Sequence, residues 1–418
     1  MNSSVFETHE SVVRSYCRKF PVVFGKAKGS EMFDQEGNPY LDFFCGAGSL
    51  NYGHNNDYIK ERVIKYLMDD GIIHAMDLYT VSKGDFINFF VDNILKPRGL
   101  DYKIMFTGPT GTNAIEAALK LARKVTGRSN VFALMGAFHG MTLGSLALTT
   151  DEAARKGAGV PLTNVTHIPA PGMFPGLDTI EYMETLLSDD HSGVEKPAAL
   201  IVEAVQAEGG INVMPYEWMK RAREFCTKHG ILMICDEIQI ANGRTGKFFA
   251  FEWSEIQPDI VTVAKSIGGM GMPFALTLFK PELDIWGPGE HNGTFRGFQL
   301  ATVAGKAGLE YFLENNIDAE VVRKSKLIDE FLSAELPKIS DKLSHRGLGL
   351  MWGIDFSAYP AGTAKKVSAE CFKRHLVIEL AGRNDCVLKP MPPLNIKDED
   401  LLKGLKIIIE ATKAVVGE

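Results

Sequence analysis

Asp259-Ile260-Val261-Thr262-Val263-Ala264-Lys265 is a mainly apolar run that ends in a lysine. A similar run, Gly230-Ile231-Leu232-Met233-Ile234-Cys235, ends just before Asp236. Neither run alternates as a half-exposed strand does, so both are predicted to be short strands buried on two faces. Ligands of open α/β sheets bind beyond the carboxyl ends of the strands. We therefore expect Asp236 and Lys265 to lie together at a ligand-binding edge.

An amine and a carboxylate at such an edge suit one kind of cofactor chemistry. A lysine can form a Schiff base with an aldehyde cofactor, and an aspartate can keep a pyridine nitrogen protonated so that the ring accepts electrons. Each residue alone has a simpler explanation, because aspartates often cap helices and lysines are mostly exposed. Together with the motifs below, the pair predicts pyridoxal 5'-phosphate as the cofactor, with Lys265 and Asp236 as catalytic residues.

Short apolar runs alternate with amphipathic patterns from about residue 100 to 300. This order predicts an α/β fold with a mostly parallel sheet covered by helices. Long helical patterns after about residue 310 predict a smaller α+β domain, and a turn at residues 34–38 indicates an N-terminal hairpin that packs with it. The predicted division assigns residues 1–50 and 309–418 to the small domain and 51–308 to the large cofactor-binding domain. The predicted elements of the large domain include strands at 103–107, 131–134, 199–203, 230–235 and 260–263, and helices at 113–125 and 217–229.

Composition restricts the class of protein. The 418 residues are 45% hydrophobic and 23% charged, which is typical of a soluble globular protein. The formal net charge of -7 gives no overall basic field for nucleic acid or anionic membrane. No apolar run approaches the roughly 20 residues that span a bilayer, and the start lacks a secretory signal pattern. We expect a cytoplasmic protein with neither nucleic acid nor membrane as a partner, and the spacing of the six cysteines predicts no metal site.

A glycine-containing turn leads from a predicted strand into a helix at Phe106-Thr107-Gly108-Pro109-Thr110-Gly111-Thr112-Asn113. Free backbone N–H groups and the helix dipole converge at such a turn and favour a phosphate. The spacing is not that of a nucleotide P-loop. By itself the turn is explained equally well as a helix N-cap formed by Thr110 or Thr112.

Two further motifs follow predicted strands. Phe138-His139 places an aromatic ring and an imidazole at the sheet edge, where a flat ring can stack on a pyridine. The alternative, a core phenylalanine beside a hydrogen-bonded structural histidine, explains this motif equally well. Glu203 and Glu208 belong to a segment that ends in a glycine turn. Most acidic residues are only solvated, but the position at the sheet edge favours a functional role for these two.

Taken together, the motifs resemble those of the class III (ω-type) aminotransferases, which are fold-type I pyridoxal phosphate enzymes with a mostly parallel seven-stranded sheet. The resemblance spans nearly the whole chain. The matching motifs are Thr110-Gly111-Thr112, Phe138-His139-Gly140, Glu203 to Gly210, Asp236-Glu237-Ile238-Gln239, Gly243-Arg244-Thr245-Gly246, Lys265 with Gly268-Gly269, and Gly293-Thr294-Phe295.

The resemblance implies a role for each matching residue. Lys265 forms the Schiff base and moves protons, and Asp236 pairs with the pyridine nitrogen. The phosphate is bound by the amides of Gly111 and Thr112 and by Thr294 of the neighbouring subunit, which implies an obligatory homodimer, alone or as a dimer of dimers. The remaining implied cofactor contacts are Phe138, which stacks on the ring, Gln239, which contacts the phenolic oxygen, His139 and Glu203.

Other strings are similar to those of the diaminobutyrate–2-oxoglutarate aminotransferases of ectoine biosynthesis. They are 46–56, 69–74, 106–113 and 286–297. This resemblance implies that L-glutamate donates its amino group to L-aspartate 4-semialdehyde, giving L-2,4-diaminobutyrate and 2-oxoglutarate. It also implies that Arg383 binds the α-carboxylate of glutamate and that Glu208 neutralises Arg383 when the substrate has no carboxylate there. Arg296 either binds a substrate carboxylate or forms an interface ion pair.

Alternatives remain open at this point. The chain departs from the subgroup at Phe298-Gln299, Ala241-Asn242 and 267–270. These departures are compatible with a related ω-aminotransferase that uses another diamine, ω-amino acid or natural-product precursor. An aminomutase, racemase or decarboxylase could use the same Lys265 and Asp236, because one scaffold supports many reactions. A non-catalytic relative is disfavoured, because Lys265, Asp236 and Gln239 are all present.

Overall fold

The computed structural model describes residues 4–417. Its strands, in chain order, are β1 Phe24–Lys28, β2 Glu31–Asp34, β3 Pro39–Asp42, β4 Lys103–Phe106, β5 Val131–Leu134, β6 Val165–Ile168, β7 Ala199–Val202, β8 Val205–Gln206, β9 Asn212–Val213, β10 Leu232–Asp236, β11 Ile260–Val263, β12 Leu276–Phe279, β13 Ser344–Leu348, β14 Met351–Asp355, β15 Leu376–Val377, β16 Glu379–Ala381 and β17 Val387–Lys389. The α-helices are α1 Ser4–His9, α2 Tyr16–Lys19, α3 Cys45–Gly48, α4 Asp57–Met68, α5 Val81–Phe90, α6 Gly111–Thr126, α7 Leu143–Leu148, α8 Glu152–Lys156, α9 Thr179–Ser188, α10 Tyr216–His229, α11 Gln299–Glu314, α12 Ile317–Glu335, α13 Thr363–Lys373 and α14 Asp398–Val416.

The centre of the fold is a seven-stranded sheet in the order β4-β12-β11-β10-β7-β5-β6. Strand β10 is parallel to β7 and β11, and β5 is parallel to β6 and β7. Strand β12 is antiparallel to both β11 and β4, so it alone of these seven strands runs in the opposite direction. The predicted α/β fold with a mostly parallel seven-stranded sheet is therefore confirmed.

The central strands are buried over their whole length because their sequences are almost continuously apolar. Every residue of β5, β7, β11 and β12 is buried. Strands β5 and β11 have the predicted bounds, whereas the strand predicted at residues 230–235 runs from Leu232 to Asp236. The shift arises because Gly230 has a φ of 55° and ends α10 as its C-cap. Asp236 thus becomes the last residue of its strand.

The N-terminal and C-terminal parts of the chain meet in smaller sheets. The predicted hairpin is formed by β2 and β3, and β3 pairs in parallel with β15 from the C-terminal part. A second sheet, entirely antiparallel, has the order β13-β14-β17-β16. The domain division at 50/51 and 308/309 stays a prediction, and α11 runs across the second boundary. Within residues 4–417 no helix is both long enough and apolar enough to span a bilayer.

Candidate active site

A cavity lies at the carboxyl ends of the central strands, where the sheet predicts a ligand. It brings together most of the residues selected from the sequence. Its lining residues are Gly111, Thr112, Phe138, His139, Gly140, Glu203, Val205, Glu208, Asp236, Ile238, Gln239, Ile240 and Lys265. Thr294, Arg296 and Arg383 are not among them.

Lys265 follows β11 directly and starts a short 3₁₀ turn with a φ of 55°. Positive φ is uncommon for a residue with a side chain, so the backbone is held in an unusual conformation at the point where the amine enters the cavity. Burial lowers the pKa of this amine below its ordinary value, while the charge of Glu208 acts in the opposite direction. A lysine with a lowered pKa is a better nucleophile at neutral pH.

Asp236 ends β10 and is almost fully buried. Its Oδ2 atom lies 2.7 Å from Nδ1 of His139, and its Oδ1 atom accepts hydrogen bonds from the Ile238 amide at 3.0 Å and the Thr262 hydroxyl at 3.3 Å. Burial alone would lower the pKa of His139, but the hydrogen bond and charge of Asp236 raise it above its ordinary value. The imidazole of His139 thus holds the Asp236 carboxylate in place from one side.

Glu203 lies beside this pair. It accepts hydrogen bonds from the amides of Phe138 at 3.1 Å and Ala207 at 3.3 Å. Burial raises the pKa of its carboxyl group to about 7, while the nearby His139 acts to lower it. Through the Phe138 amide, Glu203 helps to fix the segment that carries Phe138 and His139 at the cavity wall.

The first turn of α6 forms another side of the cavity. Thr110 is the N-cap, and its side chain pairs with that of Asn113. Among residues 4–417, the backbone amides of Gly111 and Thr112 have no hydrogen-bond acceptor. The N-cap by Thr110 is therefore confirmed. It leaves these two amides available for an anion, so phosphate binding at this turn stays a prediction.

The groups around the cavity fit the polar ends of pyridoxal 5'-phosphate. A free helix end suits the phosphate, a buried carboxylate suits the protonated ring nitrogen, and a buried amine suits the aldehyde. Gln239 donates from Nε2 to the Ala47 carbonyl at 2.9 Å, whereas its buried Oε1 atom has no partner among the described residues. That oxygen is available to the phenolic group. The individual cofactor contacts stay predictions.

The structure pairs Glu208 with a residue other than the predicted Arg383. The Oε1 atom of Glu208 lies 2.6 Å from Nζ of Lys389, and the same nitrogen lies 2.8 Å from Oε2 of Glu379. Arg383 is exposed in the turn between β16 and β17, where Asn384 and Asp385 both have positive φ. That turn carries the arginine outward, whereas β17 carries Lys389 inward, to full burial.

Sequence reasoning missed Lys389 and Glu379, although both carry a recognisable signal. Each is a charged residue at the end of an apolar strand, in Glu379-Leu380-Ala381 and Val387-Leu388-Lys389. Charged residues are seldom fully buried unless they are paired. The paired strands β16 and β17 bring these two opposite charges together, with Glu379 opposite Lys389 in the register.

The segment 286–297 lies outside the cavity of its own protomer. Thr294 is exposed, as expected of a residue that acts on a neighbouring subunit, and that role stays a prediction. Arg296 is half-buried in a different cavity together with Lys83, Lys103 and His291, and its terminal nitrogen donates to the Phe106 carbonyl at 3.4 Å. The two functions considered for Arg296 are both untested.

Potential metal ligands do not coincide with the cavity. Within residues 4–417, the group close enough to share an ion is Asp189, Asp190 and His191. All three are exposed in the loop after α9, and none lines the cavity. The expectation that the site uses no metal stays a prediction.

Comparison with known proteins gives concordant results. Residues 13–412 match the family described as Aminotransferase class-III. A diaminobutyrate–2-oxoglutarate transaminase of Halalkalibacterium halodurans is 52% identical over 417 residues, which are 99% of this chain and 97% of that protein. The protein of the same name from Wolinella succinogenes is 51% identical over 416 residues, again 99% and 97% of the two chains.

Solved structures show the same architecture. An aminotransferase of Bacillus anthracis superposes with a TM-score of 0.88 at 25% identity and covers 99% of this chain and 98% of its own. An ornithine aminotransferase of Toxoplasma gondii gives a TM-score of 0.86 at 25% identity, with 99% and 94% covered.

Proposed function

This chain belongs to the class III aminotransferases, which use pyridoxal 5'-phosphate, and from that premise we propose that it converts L-glutamate and L-aspartate 4-semialdehyde into 2-oxoglutarate and L-2,4-diaminobutyrate. The near full-length relatives at about half identity support these substrates. The observation that carries the proposal is the ion pair between the partly exposed Glu208 and the fully buried Lys389 beside Lys265. Glutamate carries a carboxylate on its reacting carbon, whereas aspartate 4-semialdehyde does not. An ion pair that can open and close suits both substrates.

The chemistry of the first step is divided between the cofactor and the chain. When bound, pyridoxal phosphate holds the amino group between the two half-reactions and accepts electrons from the substrate carbon. Nζ of Lys265 would take up the proton from that carbon and release it again. Asp236, held in place by His139, would face the ring nitrogen and stabilise a positive charge there. The first turn of α6 would bind the phosphate. This contact would fix the position of the reacting atoms relative to Lys265.

The pair of Glu208 and Lys389 then accommodates both substrates. Glutamate carries a carboxylate on the reacting carbon, and this group replaces Glu208 on the ammonium of Lys389. The aldehyde carbon of aspartate 4-semialdehyde carries no carboxylate, so Glu208 returns to Lys389. The exchange avoids an unpaired buried charge at either stage, which is strongly destabilising.

The assembly and location form a second part of the proposal. A homodimer is supported by exposed apolar side chains near Thr294 in the sequence and at the start of α5, including Leu78, Tyr79, Val81 and Phe295. We assign Thr294 to the phosphate site of the neighbouring subunit. We place the enzyme in the cytoplasm, with small-molecule substrates and with neither nucleic acid nor membrane as a partner. The resemblance of the sequence supports a supply of diaminobutyrate to ectoine biosynthesis.

A single-turnover experiment tests the substrates. Cofactor-loaded protein is mixed separately with L-2,4-diaminobutyrate, glutamate, ornithine, 4-aminobutyrate and taurine, and the cofactor absorbance is followed. Rapid change with both diaminobutyrate and glutamate supports the proposal. A change with glutamate and another amine but not with diaminobutyrate would retain the aminotransferase and discard the acceptor. Release of 2-oxoglutarate distinguishes a transaminase from an aminomutase, racemase or decarboxylase.

Subunit complementation tests the dimer. Lys265→Ala removes the amine from its own site, whereas Thr294→Ala weakens the phosphate site of the partner. A mixed dimer of the two variants contains one site in which both residues are intact. Activity should therefore return when the two weakly active variants are unfolded and refolded together. No recovery, with light scattering showing a mixed dimer, would disprove the assignment of Thr294.

A further inference from the structure

Two carboxylates share one ammonium group behind the cavity. Lys389 is fully buried and lies within 2.8 Å of both Glu208 and Glu379. Glu208 lines the cavity, whereas Glu379 does not and is itself 3% exposed. A single carboxylate would neutralise the lysine, so this cluster holds one excess negative charge. Excess buried charge is costly, and the exchange of Glu208 described above does not by itself explain the second glutamate.

Glu379 is fixed by the strand that carries it. Glu379 pairs with Lys389 through the backbone register of β16 and β17. Burial and the charge of Glu379 raise the pKa of the nearby Tyr16 in α2, whose ring packs on Phe44 with 4.9 Å between the ring centroids. Glu379 is therefore held in a paired strand, whereas Glu208 lies in a loop and touches the cavity. Of the two carboxylates, Glu208 is the one free to leave.

We propose that Glu379 is a positioning residue, which keeps Lys389 cationic and in place while Glu208 is away and a substrate carboxylate takes its position. The inference rests on the proposed function, because it assumes that the carboxylate of glutamate binds Lys389. An ammonium group has three donors. The ion pair with Glu379 persists throughout the cycle, and the hydrogen bond to Glu208 passes to the substrate and back.

The charges around Lys389 support this role. Burial alone would lower the pKa of Lys389, but Glu208 and Glu379 raise it above its ordinary value. The other titratable groups that act on this cluster are Lys265, which lies after β11, and Tyr16 in α2. When Glu208 leaves, Glu379 is the one carboxylate among residues 4–417 that remains in contact with the ammonium group. Without it, the buried amine loses its proton as the pH rises, and glutamate is no longer bound.

The test compares two substrates over a pH range with the complete holoenzyme. Reaction with diaminobutyrate at its 4-amine leaves Glu208 on Lys389, so only the glutamate half-reaction depends on Glu379 alone. In Glu379→Gln, the ratio of kcat/KM for glutamate to that for diaminobutyrate, normalised to wild type, should fall between pH 7 and pH 9, by about tenfold for each unit by which the pKa of Lys389 drops below 9 and by no more than about 100-fold. Glu410→Gln, an exposed glutamate of α14, is the matched control and should leave the ratio unchanged.

A double variant separates the effect of charge from a general structural defect. An arginine keeps its charge at any pH that the protein tolerates. Glu379→Gln/Lys389→Arg should therefore recover the glutamate reaction at pH 9 that Glu379→Gln loses. If Glu379→Gln does not fold, Glu379→Asp, which keeps the charge but draws the carboxylate away from Lys389, should shift the ratio in the same direction by a smaller amount.

The outcomes distinguish the hypotheses. An equal loss with both substrates, or a normalised ratio that does not change with pH, overturns the role of Glu379. If the wild-type protein reacts with glutamate but not with diaminobutyrate, the proposed acceptor, L-aspartate 4-semialdehyde, is wrong instead. In that case the alkaline limb of the glutamate profile alone still decides the role of Glu379, because it should move to lower pH in Glu379→Gln and return in the double variant.

Discussion

The Nδ1 atom of His139 lies 2.7 Å from Oδ2 of Asp236 in a part of the cavity wall from which water is excluded. The sequence suggested two explanations for His139, a cofactor contact or a hydrogen-bonded structural histidine. The geometry shows the hydrogen-bonded histidine, and a cofactor role exerted through the Asp236 carboxylate stays a prediction. Its Nε2 atom has no partner among the described residues and remains available.

Asp236→Asn should abolish most of the turnover. The amide keeps the shape of the side chain but removes the negative charge that stabilises the protonated ring nitrogen, so we expect kcat to fall by about 100-fold to 1,000-fold. Steady-state kinetics with a saturating cofactor measures the change. Asp190→Asn in the exposed loop after α9 is the control. Full cofactor occupancy with kcat within threefold of wild type would contradict the role of Asp236.

Lys265→Ala should bind the cofactor without a covalent bond and should not turn over. Borohydride treatment of the wild-type protein should attach the cofactor to the peptide that contains Lys265, and mass spectrometry should find no such adduct in the variant. Lys196→Ala, at an exposed lysine, provides the matched control. Normal turnover of Lys265→Ala at full occupancy would refute the assignment of the catalytic lysine.

The loading of apoprotein should depend on pH in a defined direction. The neutral amine of Lys265 is the reactive form, so the rate of cofactor attachment rises with pH. Because burial lowers the pKa of this amine, the midpoint should lie below the ordinary value of 10.5. The charge of Glu208 raises that pKa, so Glu208→Gln should move the midpoint further down. Rapid-mixing absorbance measures it, and a midpoint at or above 10.5 would be inconsistent with a buried amine.

Much of this site could be predicted because it depends on short-range patterns. Apolar runs locate β10 and β11, and the rule that ligands bind at carboxyl ends then places Asp236 and Lys265 in one cavity. The sequence also predicts a helix after the glycine turn, at 113–125, and in the structure this helix begins two residues earlier, at Gly111. These predictions need only the direction of each strand, which an alternating order of strands and helices supplies.

The choice between two basic residues could not be made in this way. Arg383 lies in the turn before β17, and Lys389 is the last residue of β17. The sequence alone does not show which of them faces inward. The answer depends on the positive φ values of Asn384 and Asp385 and on the pairing of β16 with β17. The departure at Gln299 is likewise explained only in three dimensions. This buried side chain accepts hydrogen bonds from the hydroxyl groups of Thr80 at 2.5 Å and Ser82 at 2.8 Å.

Gly269→Ala should destabilise the fold that supports Lys265. Gly269 has a φ of 71°, and an added Cβ would lie 2.1 Å from the carbonyl oxygen of Ala304 in α11. We expect a loss of about 2–4 kcal/mol in the free energy of unfolding, from left-handed strain plus the steric clash. Gly127→Ala isolates the strain, because Gly127 has a φ of 68° with nothing within 4 Å. Equal losses in the two variants, measured by denaturant unfolding, would show that the close approach to α11 has no energetic effect.

Lys389→Met should impair stability and substrate choice together. Removal of the ammonium group leaves Glu208 and Glu379 buried without a counter-charge, which is expected to lower the free energy of unfolding by about 3–5 kcal/mol. Adding Glu379→Gln should recover part of this loss, because it removes one of the two unpaired charges.

In single-turnover experiments, the reaction of Lys389→Met with glutamate should decline far more than its reaction with diaminobutyrate, whose reacting carbon carries no carboxylate. Lys397→Met, at an exposed lysine, should change the stability by no more than about 0.5 kcal/mol. A stable Lys389→Met variant that still reacts normally with glutamate would show that the carboxylate binds elsewhere in the cavity.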